Sequence, residues 1–196
     1  RVSSYRSRIL LTNEDKLPGK VRANPPFPAA RAMTISAHAF RDALRHFPAG
    51  VTLVTLKVAG EIHGLTVSAF VSVSPDPPLI AVIIDHKHRA HQLLELPGAV
   101  FAVNILGEAD QALADRFAWE PDTARFAAGR WTTAVTGAPV LADAVAWLDC
   151  TIDSHHSAGT HTIYIGAVQA SSVPRPEGAP LLYWNRDYRR LALGDR

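Results

Sequence analysis

Apolar and polar side chains alternate along residues 65–74 of the chain. Every second position is apolar: Leu65, Val67, Ala69, Val71 and Val73. The positions between them carry four hydroxyl groups and one aromatic ring: Thr66, Ser68, Phe70, Ser72 and Ser74. A period of two is typical of a β-strand with two unlike faces, and we expect one long strand here with its apolar face in the core. The neutral hydroxyl face favours a flat, hydrogen-bonding ligand close to the backbone, although ordinary β-proteins also contain such faces.

The rest of the pattern predicts short strands and a few helices. Apolar positions three and four residues apart indicate helices over 36–47, 90–96 and 109–117. Apolar or β-branched runs predict strands over 51–58, 79–84, 100–106, 145–153, 162–170 and 181–183, the last continuing toward residue 191. Strands at these short intervals leave no room for repeated βαβ crossovers. We therefore predict a mainly β fold, a closed antiparallel barrel with peripheral helices.

Basic residues are concentrated at the start of the chain. Residues 1–33 contain seven Lys or Arg and two acidic residues, whereas the remainder contains thirteen basic and sixteen acidic residues. With 196 residues, 47% hydrophobic and 19% charged, the chain has an ordinary globular composition. We predict an extended basic arm over 1–33 and one domain over 34–196. Because that domain is mildly acidic, we expect no nucleic-acid partner.

The single cysteine and the length of the apolar runs bear on the cellular compartment. Cys150 has no second cysteine with which to form an internal disulfide, which fits a reducing cytosol. Its position in a strand-like run favours a buried side chain over a nucleophile. No run approaches the roughly 18–20 apolar residues that cross a bilayer. We therefore expect a cytoplasmic protein that has no membrane partner.

A cationic segment follows directly on the apolar strand predicted over 79–84. It leads into the helix predicted over 90–96 and consists of Asp85, His86, Lys87, His88 and Arg89. The free N–H groups and the dipole of a helix start attract anions, and Lys87, Arg89 and the two imidazoles, when protonated, add to that attraction. The segment therefore predicts a phosphate or pyrophosphate site. The alternative is a solvated loop whose charges have no function.

The histidines raise two questions: whether a group of them binds a metal, and whether His161 contacts a ligand. Two groups of three lie close in sequence: His86, His88 and His91, and His155, His156 and His161. Neither group has a plausible fourth ligand nearby, and we expect no metal. His161 follows a turn at Gly159 and Thr160, so it should point toward an open end of the barrel, where it meets either a second ligand or water.

Asn104, a polar residue in an apolar strand, should hydrogen-bond neighbouring backbone.

Short sequence motifs, both absent and present, narrow the possible classes of function further. The chain has no Ser-His-Asp arrangement, Walker loop, GxGxxG or CxxC motif, which excludes most hydrolase, kinase and Rossmann-type functions. It does contain, in this order, FRDALRHFPAGVT (40–52), GLTVSAF (64–70), SVSPDPPL (72–79), FAVNIL (101–106), LADRFA (113–118), GAPVL (137–141), AWLDC (146–150), GTHTI (159–163) and PLLY (180–183). In order and spacing these segments resemble the short-chain flavin reductase family, the reductase components of two-component flavin-dependent monooxygenases. The resemblance covers about residues 36–192.

This resemblance implies a fold, an activity and a set of site residues. The expected fold of 34–196 is an FMN-binding split β-barrel that forms a homodimer. The expected activity is NAD(P)H:flavin oxidoreduction, in which a hydride passes from NADH or NADPH to FMN or FAD and reduced flavin is supplied to a partner monooxygenase. No protein acid or nucleophile is expected, because the cofactor carries the chemistry. The residues expected to bind flavin are Gly64, Leu65, Thr66, Val67, Ser68, Ala69, Asp85, His86, Lys87, His88 and Arg89, and those expected to meet the nicotinamide nucleotide are Gly159, Thr160 and His161.

Two positions depart from the family pattern. The family usually has an acidic residue where Thr160 stands, and small hydroxyl residues where His88 and Ala90 stand. The flavin type and the nucleotide preference therefore stay open. Three other functions also stay open: a non-catalytic flavin-binding protein on the same barrel, a split-barrel reductase of a non-flavin acceptor such as a corrinoid or iron chelate, and a purely structural barrel.

Overall fold

The computed structural model of the protein describes residues 35–191, which include all the predicted strands and helices. The arm predicted over 1–33 lies outside the described residues. The helices are α1 (Ala37–Leu44), α2 (Arg89–Leu94), α3 (Gln111–Trp119) and α4 (Asp122–Arg125), with a 3-10 turn over Glu108–Asp110 before α3. The strands are β1 (Ala49–Gly50), β2 (Thr52–Val58), β3 (Glu61–Val67), β4 (Phe70–Pro75), β5 (Pro78–Asp85), β6 (Val100–Ile105), β7 (Trp131–Thr133), β8 (Pro139–Leu141), β9 (Ala146–Ala158), β10 (His161–Ser172), β11 (Leu182–Trp184) and β12 (Asp187–Arg189).

Seven strands form one antiparallel sheet in the order β3-β2-β6-β9-β10-β5-β4. The two strands at its edges, β3 and β4, are separated in the chain by Ser68 and Ala69 alone. Three Cα steps span at most about 11 Å, whereas the edges of a flat seven-stranded sheet lie about 29 Å apart. The sheet therefore curls into a barrel that is split between β3 and β4. This confirms the mainly β split barrel and corrects the prediction of a closed one.

The alternating stretch 65–74 is not one strand. It is divided between β3 and β4, and the link of two residues reverses which side faces the core. Leu65 and Val67 are buried, but Val71 and Val73 are 54% and 51% exposed, and Phe70 packs against the core instead. The prediction of a single strand with one continuous apolar face was therefore wrong beyond Val67.

The barrel interior is filled by aliphatic residues around two buried rings, Phe101 and Tyr164. Gly166 lets β10 approach Phe101 so closely that a Cβ at this position would lie 2.5 Å from the ring. A second buried cluster joins α3 to the barrel wall, with Phe117 packed beside Leu53 and Leu106. The core thus fixes α3 against the outside of β2 and β3.

Buried polar groups find partners within this core. Asn104 donates hydrogen bonds to the Leu53 carbonyl and the Thr55 hydroxyl, each at 3.1 Å, and accepts one from the Leu141 N–H at 2.7 Å. The prediction that Asn104 hydrogen-bonds neighbouring backbone is confirmed. Cys150 is fully buried, as predicted, and burial raises the pKa of its thiol to about 12. No helix among residues 35–191 is long and apolar enough to cross a membrane.

Helix α1 forms as predicted, but its apolar side chains are not buried. Phe40 and Leu44 are each 53% exposed, and Phe47, just beyond the helix, is 74% exposed. Together with Val71 and Val73, these residues leave a substantial apolar area uncovered on the single chain.

Candidate functional site

Eight of the fourteen residues predicted from the sequence to bind flavin or nucleotide line a cavity where three strand ends meet. This strand-end cavity has a volume of about 170 Å³ and is lined by the end of β3 with the following link (65–69), the end of β5 (83–85), His88 and His161. It forms because β5 and β10 run antiparallel, so that the last residue of β5, Asp85, pairs with the first residue of β10, His161. Segments nearly 100 residues apart in the sequence are thereby brought to one opening.

The turn before β10 holds the predicted nucleotide residues against the predicted phosphate segment. Gly159 adopts a φ of 62°, a conformation in which glycine is favoured, and with Thr160 it connects β9 to β10. The Thr160 carbonyl accepts a hydrogen bond from the His86 N–H at 3.0 Å. The Thr160 hydroxyl lies 2.9 Å from Nδ1 of His161. Thr160 therefore contacts both the predicted phosphate segment, through His86, and the predicted nucleotide residue His161.

Asp85 stabilises the turn in the phosphate segment. Its carboxylate accepts a hydrogen bond from the Lys87 N–H at 3.0 Å. This hydrogen bond and the nearby charges of His161, Lys87 and His88 hold the pKa of Asp85 below its ordinary value. Because a carboxylate repels a phosphate, we expect Asp85 to shape the turn of the predicted phosphate site rather than to contact the anion.

Two residues of the predicted phosphate segment point elsewhere. The His86 ring stacks on His91, with ring centroids 4.6 Å apart, and its Nε2 lies 3.1 Å from the Thr162 hydroxyl. The Arg89 guanidinium forms ion pairs with Glu61 and, at 3.5 Å, with Asp122. Of His86, Lys87, His88 and Arg89, His88 alone lines the strand-end cavity, while Lys87 is exposed.

The hydroxyl side of β3 faces α3. Thr66 donates a hydrogen bond to the Ala114 carbonyl at 2.6 Å, so its proton is not available to a ligand in the strand-end cavity. Gly64 lies outside that cavity, and a Cβ there would approach the Phe117 ring to 2.6 Å. Gly64 is therefore a close-packing position, which allows α3 to lie against β3.

A second, larger cavity adjoins the first at Thr66 and Ser68. This α3 groove has a volume of about 390 Å³ and lies between α3 and the β11–β12 hairpin. Its walls include Gln111, Asp115 and Trp119 from the helix and Tyr183, Arg186 and Tyr188 from the hairpin. This groove was not predicted from the sequence. The available signal was the spacing of four residues between Gln111, Asp115 and Trp119, which places polar and aromatic groups on one face of α3 while Phe117 faces the core.

The strand-end cavity alone is smaller than an ordinary ligand site, whereas the adjoining α3 groove is large enough for one. Small-molecule sites usually measure about 300–1,000 Å³, and the strand-end cavity, at 170 Å³, falls below that range. The Ser68 side chain lines both cavities, His88 lines the strand-end cavity, and the exposed Lys87 precedes His88 in the chain. Within residues 35–191, no group of three or more His, Cys, Asp or Glu side chains is placed to hold a metal ion.

Known proteins resemble the chain along most of its length. The family model described as "Flavin reductase like domain" matches residues 44–192. The FMN reductase (NADH) RutF 1 of Methylorubrum extorquens is 38% identical over 164 residues, which cover 83% of this chain and 80% of that protein. The solved structure of the Streptomyces globisporus C-1027 NADH:FAD oxidoreductase in complex with NAD and FAD fragments matches with a TM-score of 0.73 and 34% identity, over 80% of this chain and 93% of that one. The styrene monooxygenase flavin reductase of Pseudomonas putida matches with a TM-score of 0.69 and 32% identity, over 79% and 98% of the two chains.

These similarities confirm several predictions made from the sequence. The flavin reductase resemblance, the NAD(P)H-dependent enzyme class and the pairing of a flavin with a nicotinamide nucleotide are confirmed. The individual site residues stay predictions. On the match of 44–192 and on relatives more than 30% identical over most of the chain, this protein belongs to the flavin reductase-like family.

Proposed function

We propose that the protein transfers a hydride from NADH or NADPH to FMN or FAD and releases the reduced flavin to a separate monooxygenase. The observation that carries this proposal is the strand-end cavity, which brings the 65–69 segment, Asp85, His88 and His161 to one opening. When bound, the nicotinamide nucleotide supplies the hydride and the flavin accepts it, so the protein needs no nucleophile of its own.

The protein residues contribute by binding and orienting the two ligands. The Ser68 hydroxyl and the backbone of the link after β3 are proposed to hydrogen-bond the polar edge of the flavin ring, where negative charge increases on reduction. Lys87 and His88 are proposed to bind the flavin phosphate. His161, held by Thr160 at 2.9 Å, is proposed to orient the nicotinamide. Because both ligands must lie in contact, positioning is the main contribution of the site.

The hydrogen bond from the Thr66 hydroxyl to the Ala114 carbonyl limits what Thr66 can offer to a flavin. With its proton donated to that carbonyl, the Thr66 oxygen keeps only acceptor capacity toward a ligand. We therefore assign the donor role at the flavin ring to Ser68 and the backbone, and an accepting role to Thr66.

The homodimer and the cytoplasmic location also stay predictions. The exposed apolar residues of α1 and β4, among them Phe40 and Val71, support a homodimer, because such area is usually covered by a partner. The cytoplasmic location rests on the single cysteine alone. Sedimentation or gel filtration with light scattering tests the dimer, and a monomer at micromolar concentration would contradict it.

Steady-state assays test the proposed activity directly. NADH and NADPH are each combined with FMN, FAD and riboflavin, and nicotinamide oxidation is followed by its absorbance. We expect oxidation that requires added flavin. Flavin binding without oxidation would instead identify a flavin-binding protein, and oxidation only with a corrinoid or an iron chelate would identify a reductase of another acceptor. An absence of any flavin-induced thermal shift would indicate a structural barrel.

Release of reduced flavin requires a separate test. The styrene monooxygenase flavin reductase that this chain resembles supports a partner of this kind. After anaerobic turnover, the reaction is passed rapidly through a size filter. We expect most of the reduced flavin in the filtrate. Retention of all flavin with the protein would argue for a tightly bound prosthetic group and against delivery by diffusion.

A further inference from the structure

Three histidines gather around one carboxylate beside the predicted phosphate segment. This histidine cluster consists of His86 from that segment, His91 of α2, Glu95 just after α2, His155 of β9 and Tyr164 of β10. Nδ1 of His155 lies 3.2 Å from a Glu95 carboxylate oxygen, and Nδ1 of His91 lies 3.8 Å from the same oxygen. Imidazole is the side chain whose charge ordinarily changes between about pH 5 and pH 8. Acidification in that range therefore adds positive charge that one carboxylate cannot balance.

His91 is anchored in the cluster by hydrogen bonds. Burial and the adjacent Glu95 raise the pKa of the Tyr164 phenol, which therefore keeps its proton. The phenol donates this proton to Glu95 at 2.6 Å, so it accepts from Nδ1 of His91, also at 2.6 Å. A further proton on His91 goes to Nε2 and leaves this hydrogen bond intact. His91 can therefore become an imidazolium without moving.

The His86 ring is held mainly by stacking. It lies on the His91 ring with centroids 4.6 Å apart and an angle of 28° between the planes, and its Nε2 is 3.1 Å from the Thr162 hydroxyl. Two stacked rings tolerate one positive charge, but two charges at this distance repel each other. Protonation of both rings therefore separates them. Because His91 is anchored, His86 is the ring that moves.

The backbone of the predicted phosphate segment does not depend on this stack. The His86 N–H donates to the Thr160 carbonyl, and the His88 N–H donates to the Asp85 carbonyl, each at 3.0 Å. The Asp85 carboxylate accepts from the Lys87 N–H, also at 3.0 Å. Separation of the two rings therefore frees the His86 side chain and leaves the turn in place.

We propose that the histidine cluster is a pH-sensitive latch on the flavin phosphate site. Above the imidazole range, His86 is stacked on His91 and carries no charge. At lower pH both rings are protonated, the stack opens, and the His86 imidazolium joins Lys87 and His88 at the phosphate. This inference rests on the proposed function, because it takes the flavin phosphate to lie at this segment.

The other charged groups around His86 do not reverse the direction of this effect. The Asp85 carboxylate attracts an imidazolium. The remaining neighbours are basic, namely Lys87, His88, Arg89 and, paired with Asp85 across the β5–β10 rung, His161. The Arg89 guanidinium is already paired with two carboxylates. A bound phosphate adds negative charge among these basic groups and therefore favours the protonated, open form of His86.

NMR of the full chain tests the latch in the absence of any ligand. We expect an NOE between the ring protons of His86 and His91 at about pH 8, and its loss by about pH 5.5. His91→Phe offers His86 a ring that cannot become charged, so in this variant the ring contact should persist at the lower pH. A wild-type contact that persists at about pH 5.5 would overturn the latch.

Flavin titrations test the effect of the latch on binding. Affinities for FMN and riboflavin are measured by fluorescence for wild type, His86→Gln and His156→Gln, the last an exposed histidine outside the cluster. At about pH 5.5 we expect His86→Gln to bind FMN about fivefold more weakly than wild type, because glutamine cannot supply the charge. The difference should narrow at about pH 8. Titration of the FMN phosphate itself affects all three proteins equally and cancels in the comparison.

Riboflavin, which has no phosphate, separates the latch from a general loss of binding. Its affinity should be the same in wild type and His86→Gln, and His156→Gln should match wild type for both flavins. Equal FMN affinities of wild type and His86→Gln at about pH 5.5 would overturn the proposal, as would an equal loss for riboflavin. A wild-type protein that binds neither flavin at either pH would instead contradict the proposed function. These failures are distinguishable, because the ring contact reports on the latch without flavin.

Discussion

His161 and Asp85 face each other on one rung of the β5–β10 ladder, at the end of one strand and the start of the other. The positive charge of the histidine contributes to the lowered pKa of Asp85, after the Lys87 N–H hydrogen bond. The rung therefore places the predicted phosphate segment beside the predicted nicotinamide residue, and we expect substitutions on it to affect catalysis more than folding.

Replacement of His161 tests this rung. His161→Ala should lower kcat/KM for NADH by about tenfold, because one oriented hydrogen-bonding group of the cavity is lost. The nearby His156→Ala serves as control, since His156 is exposed on β9 and does not line the cavity. Steady-state assays at saturating FMN provide the measurement. Similar rates in the two variants would contradict a role for His161.

The two exposed cations of the phosphate segment should behave differently. Lys87→Ala should weaken FMN binding about fivefold relative to riboflavin, because a charge beside the proposed phosphate position is removed. Arg89→Ala should affect FMN and riboflavin alike, since the Arg89 guanidinium already pairs with Glu61 and Asp122. Fluorescence titrations of both flavins measure these affinities. A selective loss of FMN in Arg89→Ala would show that the phosphate displaces its ion pairs.

Buried His63 should make stability depend on pH. Its Nδ1 lies 3.2 Å from Asp122, but burial outweighs this attraction and lowers the pKa of His63 below its ordinary value of 6.5. Arg125 and Arg89 lower it further, and Glu61 opposes them. The unfolded state then binds more protons, so this contribution is present above pH 6.5 and is lost as pH falls toward the lower, folded-state pKa. The free energy of unfolding should decrease across that window.

Urea unfolding at about pH 8 and about pH 5.5 measures this effect. His63→Gln should show a smaller loss between the two conditions than wild type, whereas His156→Gln should match wild type. An identical pH dependence in wild type and His63→Gln would assign the effect to other groups.

Close packing at Gly166 predicts that one added methyl group there strongly destabilises the fold. Gly166→Ala should destabilise the fold by about 1–3 kcal/mol, because the added Cβ lies 2.5 Å from the fully buried Phe101 ring. Gly50→Ala is the matched control, a strand glycine with no atom within 4 Å of the added carbon. Both are compared by denaturant unfolding. A similar stability of the two variants would mean that the Phe101 ring shifts readily.

The sequence predicts most of the fold because strand and helix periodicities are local properties. The division of residues 65–74 was missed because a link of two residues reverses the facing of a strand without disturbing its alternation. Phe70 among the hydroxyl residues was the one local sign of this reversal. The orientation of Arg89 was also unpredictable, because its partners Glu61 and Asp122 are distant in sequence. The α3 groove depends on the position of a hairpin more than 60 residues after the helix.

The link at Ser68 and Ala69 has a consequence for recognition. An edge strand carries an outward row of backbone N–H and C=O groups, and in this barrel the row of β3 borders the seam at which the candidate site lies. A ligand that binds at this seam would meet main-chain groups at fixed spacing, as an eighth strand would. A bound ligand should therefore raise the stability of the whole barrel. Substitutions of side chains on the surrounding elements should change which ligand binds without altering these main-chain groups.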